Sequence, residues 1–359
     1  MRITKIEASG IRNYRSLNVS FNKGINALYG RNGSGKTNIV EIIDYVTIGK
    51  SFKADSDEEL INFEEEFAKV KIEYDRKQKN EIKIILYGEG KKIFKNDVEL
   101  KKLSLLPGNL IDILFTPQDV FLFKDSPSIR RRLIDVTLSS IDKQYLVELS
   151  NYKRLLKDRN TVLKGELFDE KYLQIITEQM TESEFYIYSK RKWLVDKINN
   201  LITGIYRRLD EENNELFIKY NPFIQEENKE KYVFEALKKY NETKETDLKR
   251  KSTTDGIHRE DIETLLNERE ISLFGSQGQN RMACLALKFS LYEIVKSEIG
   301  EDPILILDDV LSELDVIHQE KLIKYLENVE QAFITCTELN EKLKNYSTYE
   351  IVDGTVIRR

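Results

Sequence analysis

The chain has 359 residues, 40 % hydrophobic and 10 % aromatic, enough to bury a large core and too apolar for a disordered protein. Its net charge of −5, from 57 basic and 62 acidic residues, lacks the basic excess of most nucleic-acid binders and leaves only local patches for phosphate contact. Two cysteines and two histidines are too few for a disulfide framework or a zinc cluster, and the opening residues do not read as a signal peptide. No apolar run approaches the roughly 18 residues of a membrane helix, so the expected compartment is the cytoplasm.

The first 30 residues read as strands. Leu17, Val19 and Phe21 alternate with Ser16, Asn18 and Ser20, and an apolar run at 25–29 ends on Gly30. Ile39, Ile42, Ile43 and Val46 then recur at helical spacing over 37–48. Val70, Ile72 and Tyr74, followed by Ile82, Ile84 and Leu86, predict a pair of antiparallel strands, and 111–115 another buried strand. Ser126-Pro127 opens a charge-dense, helix-like stretch that continues to about 250. A helix at 277–298, a strand at 304–308, a helix after 313 and a strand at 332–335 follow, with Asp353-Gly354 as a hairpin turn. The expected organisation is one α/β domain split between residues 1–125 and 251–359, with a helical arm at 126–250 inserted into it.

Between the second strand run and the first helix stands Gly30-Arg31-Asn32-Gly33-Ser34-Gly35-Lys36-Thr37, a full G-x-x-x-x-G-K-[ST] phosphate-binding loop. Its glycines let backbone N–H groups close around phosphate oxygens at a helix start. Lys36 reaches the terminal phosphates, and Thr37 supplies a hydroxyl to Mg²⁺. Ile304-Leu305-Ile306-Leu307-Asp308-Asp309 is a buried strand ending in two carboxylates, Asp308 for the ion and Asp309 for the attacking water. Gly275-Ser276-Gln277-Gly278-Gln279 precedes a helix and offers a second anion-binding turn. It resembles the signature of ABC-type ATPases, with Gln277 in place of a glycine. In register with the same group, Ser312-Glu313-Leu314-Asp315 falls at the loop that links two nucleotide sites.

The whole set, with the stretch after the phosphate loop and Gly256-Ile257-His258-Arg259-Glu260-Asp261 before the signature, resembles the RecF family of the ABC/SMC group over nearly the full length. The resemblance implies an ABC-type head, a mixed sheet plus an antiparallel β subdomain. It implies a homodimer in which the signature of one copy closes over ATP held by the other. It further implies binding of double-stranded and gapped DNA, action with RecO and RecR to load RecA in repair, replication restart and SOS induction, and a weak DNA-stimulated ATPase used as a switch. By the same resemblance Gln118 joins Mg²⁺, Arg12 to Tyr14 approach the base, and His258 and Arg259 match a family pair.

Two departures accompany it: Asp309 replaces a catalytic glutamate, and no histidine follows the 332–335 strand. Both point to slow turnover. Candidate DNA contacts are Arg130, Arg131, Arg132, Lys153 and Arg154, and a solvated charged face is the more ordinary reading of each cluster. Competing readings are an SMC-like structural tether, for which the arm is short, and the nucleotide-binding subunit of a larger complex.

Overall fold

A computed structural model describes residues 1–165, 169–210, 213–339 and 341–359, which include every candidate site residue. Contacts divide the chain into two units: Met1–Asp119, Arg208–Glu211 and Lys288–Arg359, and Val120–Arg207 with Glu212–Leu287. From the N-terminus come β1 (Arg2–Ile11), β2 (Tyr14–Ser20), β3 (Gly24–Tyr29), α1 (Lys36–Ile48), β4 (Phe67–Arg76), β5 (Gln78–Tyr87), β6 (Gly90–Lys95), β7 (Val98–Glu99) and β8 (Asp112–Phe115). The middle holds α2 (Pro127–Ile141), α3 (Lys143–Lys164), α4 (Glu170–Asn199), α5 (Ile202–Asp210), β9 (Leu216–Asn221), α6 (Lys229–Arg250), β10 (Asp261–Leu266), β11 (Arg269–Glu270), α7 (Ile271–Phe274) and α8 (Gln277–Ile299). The chain closes with β12 (Ile304–Leu307), α9 (Val316–Leu326), β13 (Gln331–Cys336), β14 (Ser347–Val352) and β15 (Thr355–Arg358).

The first unit is the α/β head, with two six-stranded sheets. One is antiparallel, ordered β2-β1-β4-β5-β6-β7; on β4, Ala68, Val70, Ile72 and Tyr74 face inward while Lys69 points out. The other is ordered β15-β14-β3-β13-β12-β8, parallel throughout except for the β14–β15 hairpin, whose turn is Asp353 and Gly354, both at positive φ. Strands buried on both faces read as continuous apolar runs, and all four residues of β12 are fully buried. Helix α1 packs against β8 and β13 of one sheet and β4 and β5 of the other. That placement explains its buried polar residues. Glu41, 1 % exposed, is answered by a bidentate Arg12 at 2.7 and 2.9 Å.

The second unit is wider than the 126–250 arm and is not purely helical. Residues 216–221, inside a stretch expected to be helix, form β9, and β10 and β11 complete a three-stranded sheet. Leu216 and Ile218 are buried while Phe217 is exposed, a period-2 signal hidden by the dense helical pattern around it.

This unit also buries many ions. Arg159, 1 % exposed, meets Asp247 at 2.8 Å, and Arg191 meets Glu260 at 2.7 Å and Asp135 at 2.9 Å. Among the described residues Glu184 pairs with no cation and its Oε2 has no partner, while its carboxyl accepts the Tyr240 hydroxyl. Burial pushes its pKa up to about 8. The folded state therefore keeps a proton that the unfolded chain releases above the ordinary value of 4.5, and stability falls as pH rises from there to about 8. Glu184→Gln is expected to abolish that slope and to be the more stable protein at pH 8, by roughly 2–4 kcal/mol. Thermal melting of both proteins from pH 5 to 8.5 checks this, and parallel curves would refute it. No helix among the described residues is long and apolar enough to cross a membrane.

Candidate functional site

Parallel pairing brings four strand ends to one edge of the mixed sheet. Tyr29 on β3 lies opposite Cys336 on β13, and Leu307 on β12 lies between Ile334 and Phe115 of β8. In open parallel sheets ligands bind at that edge.

The loop after β3 is built to curl. Gly35, at φ 114°, has no room for a side chain: a Cβ would sit 2.7 Å from both the Asn13 amide and the Tyr14 hydroxyl. Those two residues brace the loop from outside. Asn13 Nδ2 donates to Ser34 O at 3.0 Å and Tyr14 Oη to Gly35 O at 3.0 Å. Arg12 is held to Glu41, so the Arg12–Tyr14 turn acts here as a brace for the loop, a role the sequence did not reveal. Lys36 arches back over the loop, its Nζ donating to Gly30 O at 2.7 Å and Arg31 O at 2.9 Å. Gly33, Arg31 and Asn32 are exposed on the outer bend, while Ser34 is buried with an Oγ that has no partner among the described residues.

Behind the loop, the Asp308 carboxylate accepts from Thr37 Oγ1 at 3.0 Å and from Thr335 Oγ1 at 2.7 Å, both on Oδ1. Asp309 follows in left-handed backbone, φ 50°, with its amide on Thr335 Oγ1 at 2.8 Å and a buried Oδ1 that lacks a partner among the described residues. Burial raises the Asp308 pKa and lowers that of Lys36, against the pull of Asp309 and then Cys336 and Asp308 on the lysine. An anion at Lys36 and a cation at Asp308 would relieve both penalties. Together with the two orphaned polar atoms, this donor set fits a polyphosphate with a hard divalent cation.

Gln118 is exposed in the short helical turn after β8, whose pairing with β12 brings it to the Asp308 edge. Lys288, buried and absent from the sequence reading, fixes that turn by donating to Leu114 O at 2.5 Å and pairing with Asp119. Cys336 ends β13, and burial pushes its thiol up to about 11, so it is uncharged at neutral pH.

In the second unit Ser276 is exposed at the head of α8 and forms a reciprocal cap. Its Oγ accepts Gln279 N at 3.1 Å and its N donates to Gln279 Oε1 at 3.0 Å. Gln277 and Gly278 are exposed beside it, as are the side chains of Leu273 and Phe274, each 71 % exposed. In the first unit Ser312 Oγ donates to Asp309 O at 2.8 Å. Asp315 caps α9 through His318 N at 2.9 Å, followed by exposed Val316 and Ile317.

The basic cluster needs correction. Arg130 is buried, with Nε and Nη2 on Asp261 and Nη1 on the carbonyls of Leu122, Phe123 and Asp125, so its donors are committed inside the unit. It is a structural residue and no phosphate contact. Arg159 on α3 and Arg191 on α4 are likewise buried ion-pair residues. Arg131 is half-buried on Glu260 O at 2.6 Å, whereas Arg132, Lys153 and Arg154 are exposed, the last beside Asp158. His258 is half-buried, its Nδ1 2.6 Å from the Tyr152 hydroxyl; burial lowers its pKa to about 4.

Residues 2–107 match the family described as the RecF/RecN/SMC N terminal domain. The chain is 36 % identical over 365 residues to the DNA replication and repair protein RecF of Clostridioides difficile, covering 99 % of this chain and 98 % of that one. It is 35 % identical over 370 residues to the RecF of Shouchella clausii, with full coverage of both. Among solved structures, the recombination mediator protein RecF with ATP, from the RecFOR pathway, superposes with a TM-score of 0.92 at 33 % identity, over 100 % of this chain and 97 % of that one. The Smc head domain of Pyrococcus furiosus, at 18 % identity and a TM-score of 0.58, shares the fold.

Proposed function

The chain belongs to the RecF family of DNA replication and repair proteins, and from that membership we propose that it is an ATP-dependent DNA clamp with a slow, DNA-stimulated ATPase. The observation that carries the reading is the 3.0 Å contact of Thr37 with Asp308, 271 positions apart, beside a lysine-covered glycine loop. The backbone amides of 30–37 cradle the triphosphate, Lys36 turns to its terminal oxygens, and Ser34 finds the partner it lacks. Thr37, Asp308 and Gln118 would hold Mg²⁺, which when bound neutralises charge on the phosphates. Asp309 orients water; a carboxylate one methylene shorter than glutamate suits slow turnover.

Closure takes two copies. Ser276 and the free amides of Gln277 and Gly278 cap the terminal phosphate held by the partner, and the segment through Ser312 and Asp315 links the two sites. The exposed Leu273 and Phe274, and Val316 and Ile317, are apolar surface beside each of these segments, which a dimer would cover. Hydrolysis removes the bridging phosphate and the dimer opens. On DNA, the exposed Arg132, Lys153 and Arg154 serve the phosphate backbone, at gaps or single-strand/double-strand junctions. RecO and RecR are the partners in loading RecA, in the cytoplasm.

Light scattering tests the core of this. The 42.2 kDa chain should double in mass with ATP and Mg²⁺, do so more readily with gapped duplex, and revert as ATP is consumed. A mass unchanged at saturating ATP, with and without DNA, defeats the clamp.

A further inference from the structure

A hydroxyl on the central strand β13 would be a poor choice for packing alone. Thr335 is 1 % exposed between two parallel neighbours, where valine has the same shape without a polar atom to satisfy. Its hydroxyl is used twice, donating to Asp308 Oδ1 at 2.7 Å and accepting the Asp309 amide at 2.8 Å. One side chain thus grips two consecutive residues at the end of the neighbouring strand.

The grip has a physical purpose on each side. Asp309 sits at φ 50°, a left-handed conformation that most side chains avoid and that local hydrogen bonds hold in place. Thr335 secures its amide, and the Ser312 hydroxyl secures its carbonyl at 2.8 Å. The buried Oδ1 of Asp309 is thereby left with no partner among the described residues, in the electrostatic reach of Lys36. On Asp308, Thr335 and Thr37 both donate to Oδ1, and Oδ2 accepts from neither. Should Thr37 be drawn elsewhere, Thr335 still fixes the carboxylate.

We infer that Thr335 is a positioning residue for ATP hydrolysis, setting the orientation of Asp308 and the backbone of Asp309 through one hydroxyl. This rests on the ATPase reading above. It makes a hydrolysis-specific prediction, because Thr335 holds the Asp308 carboxylate and the Asp309 backbone while the phosphate loop has its own brace in Asn13 and Tyr14.

The test compares Thr335→Val, which keeps shape and loses the hydroxyl, with Thr335→Ser, which keeps the hydroxyl. Turnover, affinity for a fluorescent ATP analogue and the lifetime of the ATP-induced dimer are measured on the full chain, with thermal melting as the folding control. For valine, kcat should fall by roughly 30-fold or more, with nucleotide affinity within about 3-fold of the parent and the dimer lasting longer. Serine should stay within about 3-fold of the parent in every measure. The inference is overturned if valine turns over like the parent, if serine is as slow as valine, or if affinity and turnover fall together. Should valine fail to fold, the serine comparison decides alone. A parent chain that binds ATP and dimerises but hydrolyses none defeats the ATPase reading itself, and the role of Thr335 with it.

Discussion

Lys36→Ala should lower ATP affinity by about two to three orders of magnitude, the scale of a charge-assisted contact to buried phosphate lost together with its positive charge. The lysine is 7 % exposed, and its ammonium is held ready by two carbonyl acceptors of its own loop, so little reorganisation precedes its contact with an anion. With alanine, the Gly30 and Arg31 carbonyls lose that donor, and Asp309 loses a favourable charge. The loop itself should survive, because Asn13 and Tyr14 hold it from the other side. Titration with a fluorescent ATP analogue and light scattering should therefore show weak binding, no dimer and no ATP-dependent hold on gapped DNA. The nucleotide-free melting temperature should move by only a few degrees, a loss of about 1–2 kcal/mol. Dimer formation by this variant at parental ATP concentrations would rule out the nucleotide latch.

Ser276→Arg separates binding from closure. Ser276 is in the second unit and the phosphate loop in the first, so a chain that only needed its own loop would be indifferent to the change. The substitution removes the helix cap with Gln279, worth about 1 kcal/mol, and places a long cation on the exposed turn beside Leu273 and Phe274. Nucleotide affinity of the monomer should stay within about 3-fold, whereas the doubled mass and the hydrolysis that depends on it should disappear. Ser276→Ala is the control for the cap: it costs the same helix-start bond and should retain measurable dimer. A Ser276→Arg chain that pairs on ATP as well as its parent would show that this turn seals nothing.

Much of the site was legible because its chemistry is contiguous. A loop that holds phosphate with backbone amides must write its glycines, lysine and threonine at set spacing, and Gly35 with Lys36 and Thr37 appear as one word. A strand buried on both faces that ends in carboxylates is equally local, as Ile304 to Asp309 show. The capping pair Ser276 and Gln279 is three residues apart. The hairpin at Asp353-Gly354 follows from backbone angles that those residue types tolerate.

Contacts between distant segments were another matter. Three consecutive arginines cannot share one helix face, since successive side chains are about 100° apart. Arg130 turns inward to Asp261, 131 positions away, while Arg132 turns outward, and no local pattern states which. Strand β9 was hidden in a charge-dense stretch because its partner, β10, lies some 40 residues on, as the Asn221–Asp261 pairing shows. Nothing local marks Thr335; the pairing of β13 with β12 is what sets its hydroxyl on Asp308. The sequence by itself determined the class of ligand, because backbone cradles and strand-end carboxylates are encoded by neighbours along the chain. Only the tertiary structure decided which charges are spent in the interior and which side chains brace the site, because burial and pairing are properties of segments that meet only on folding.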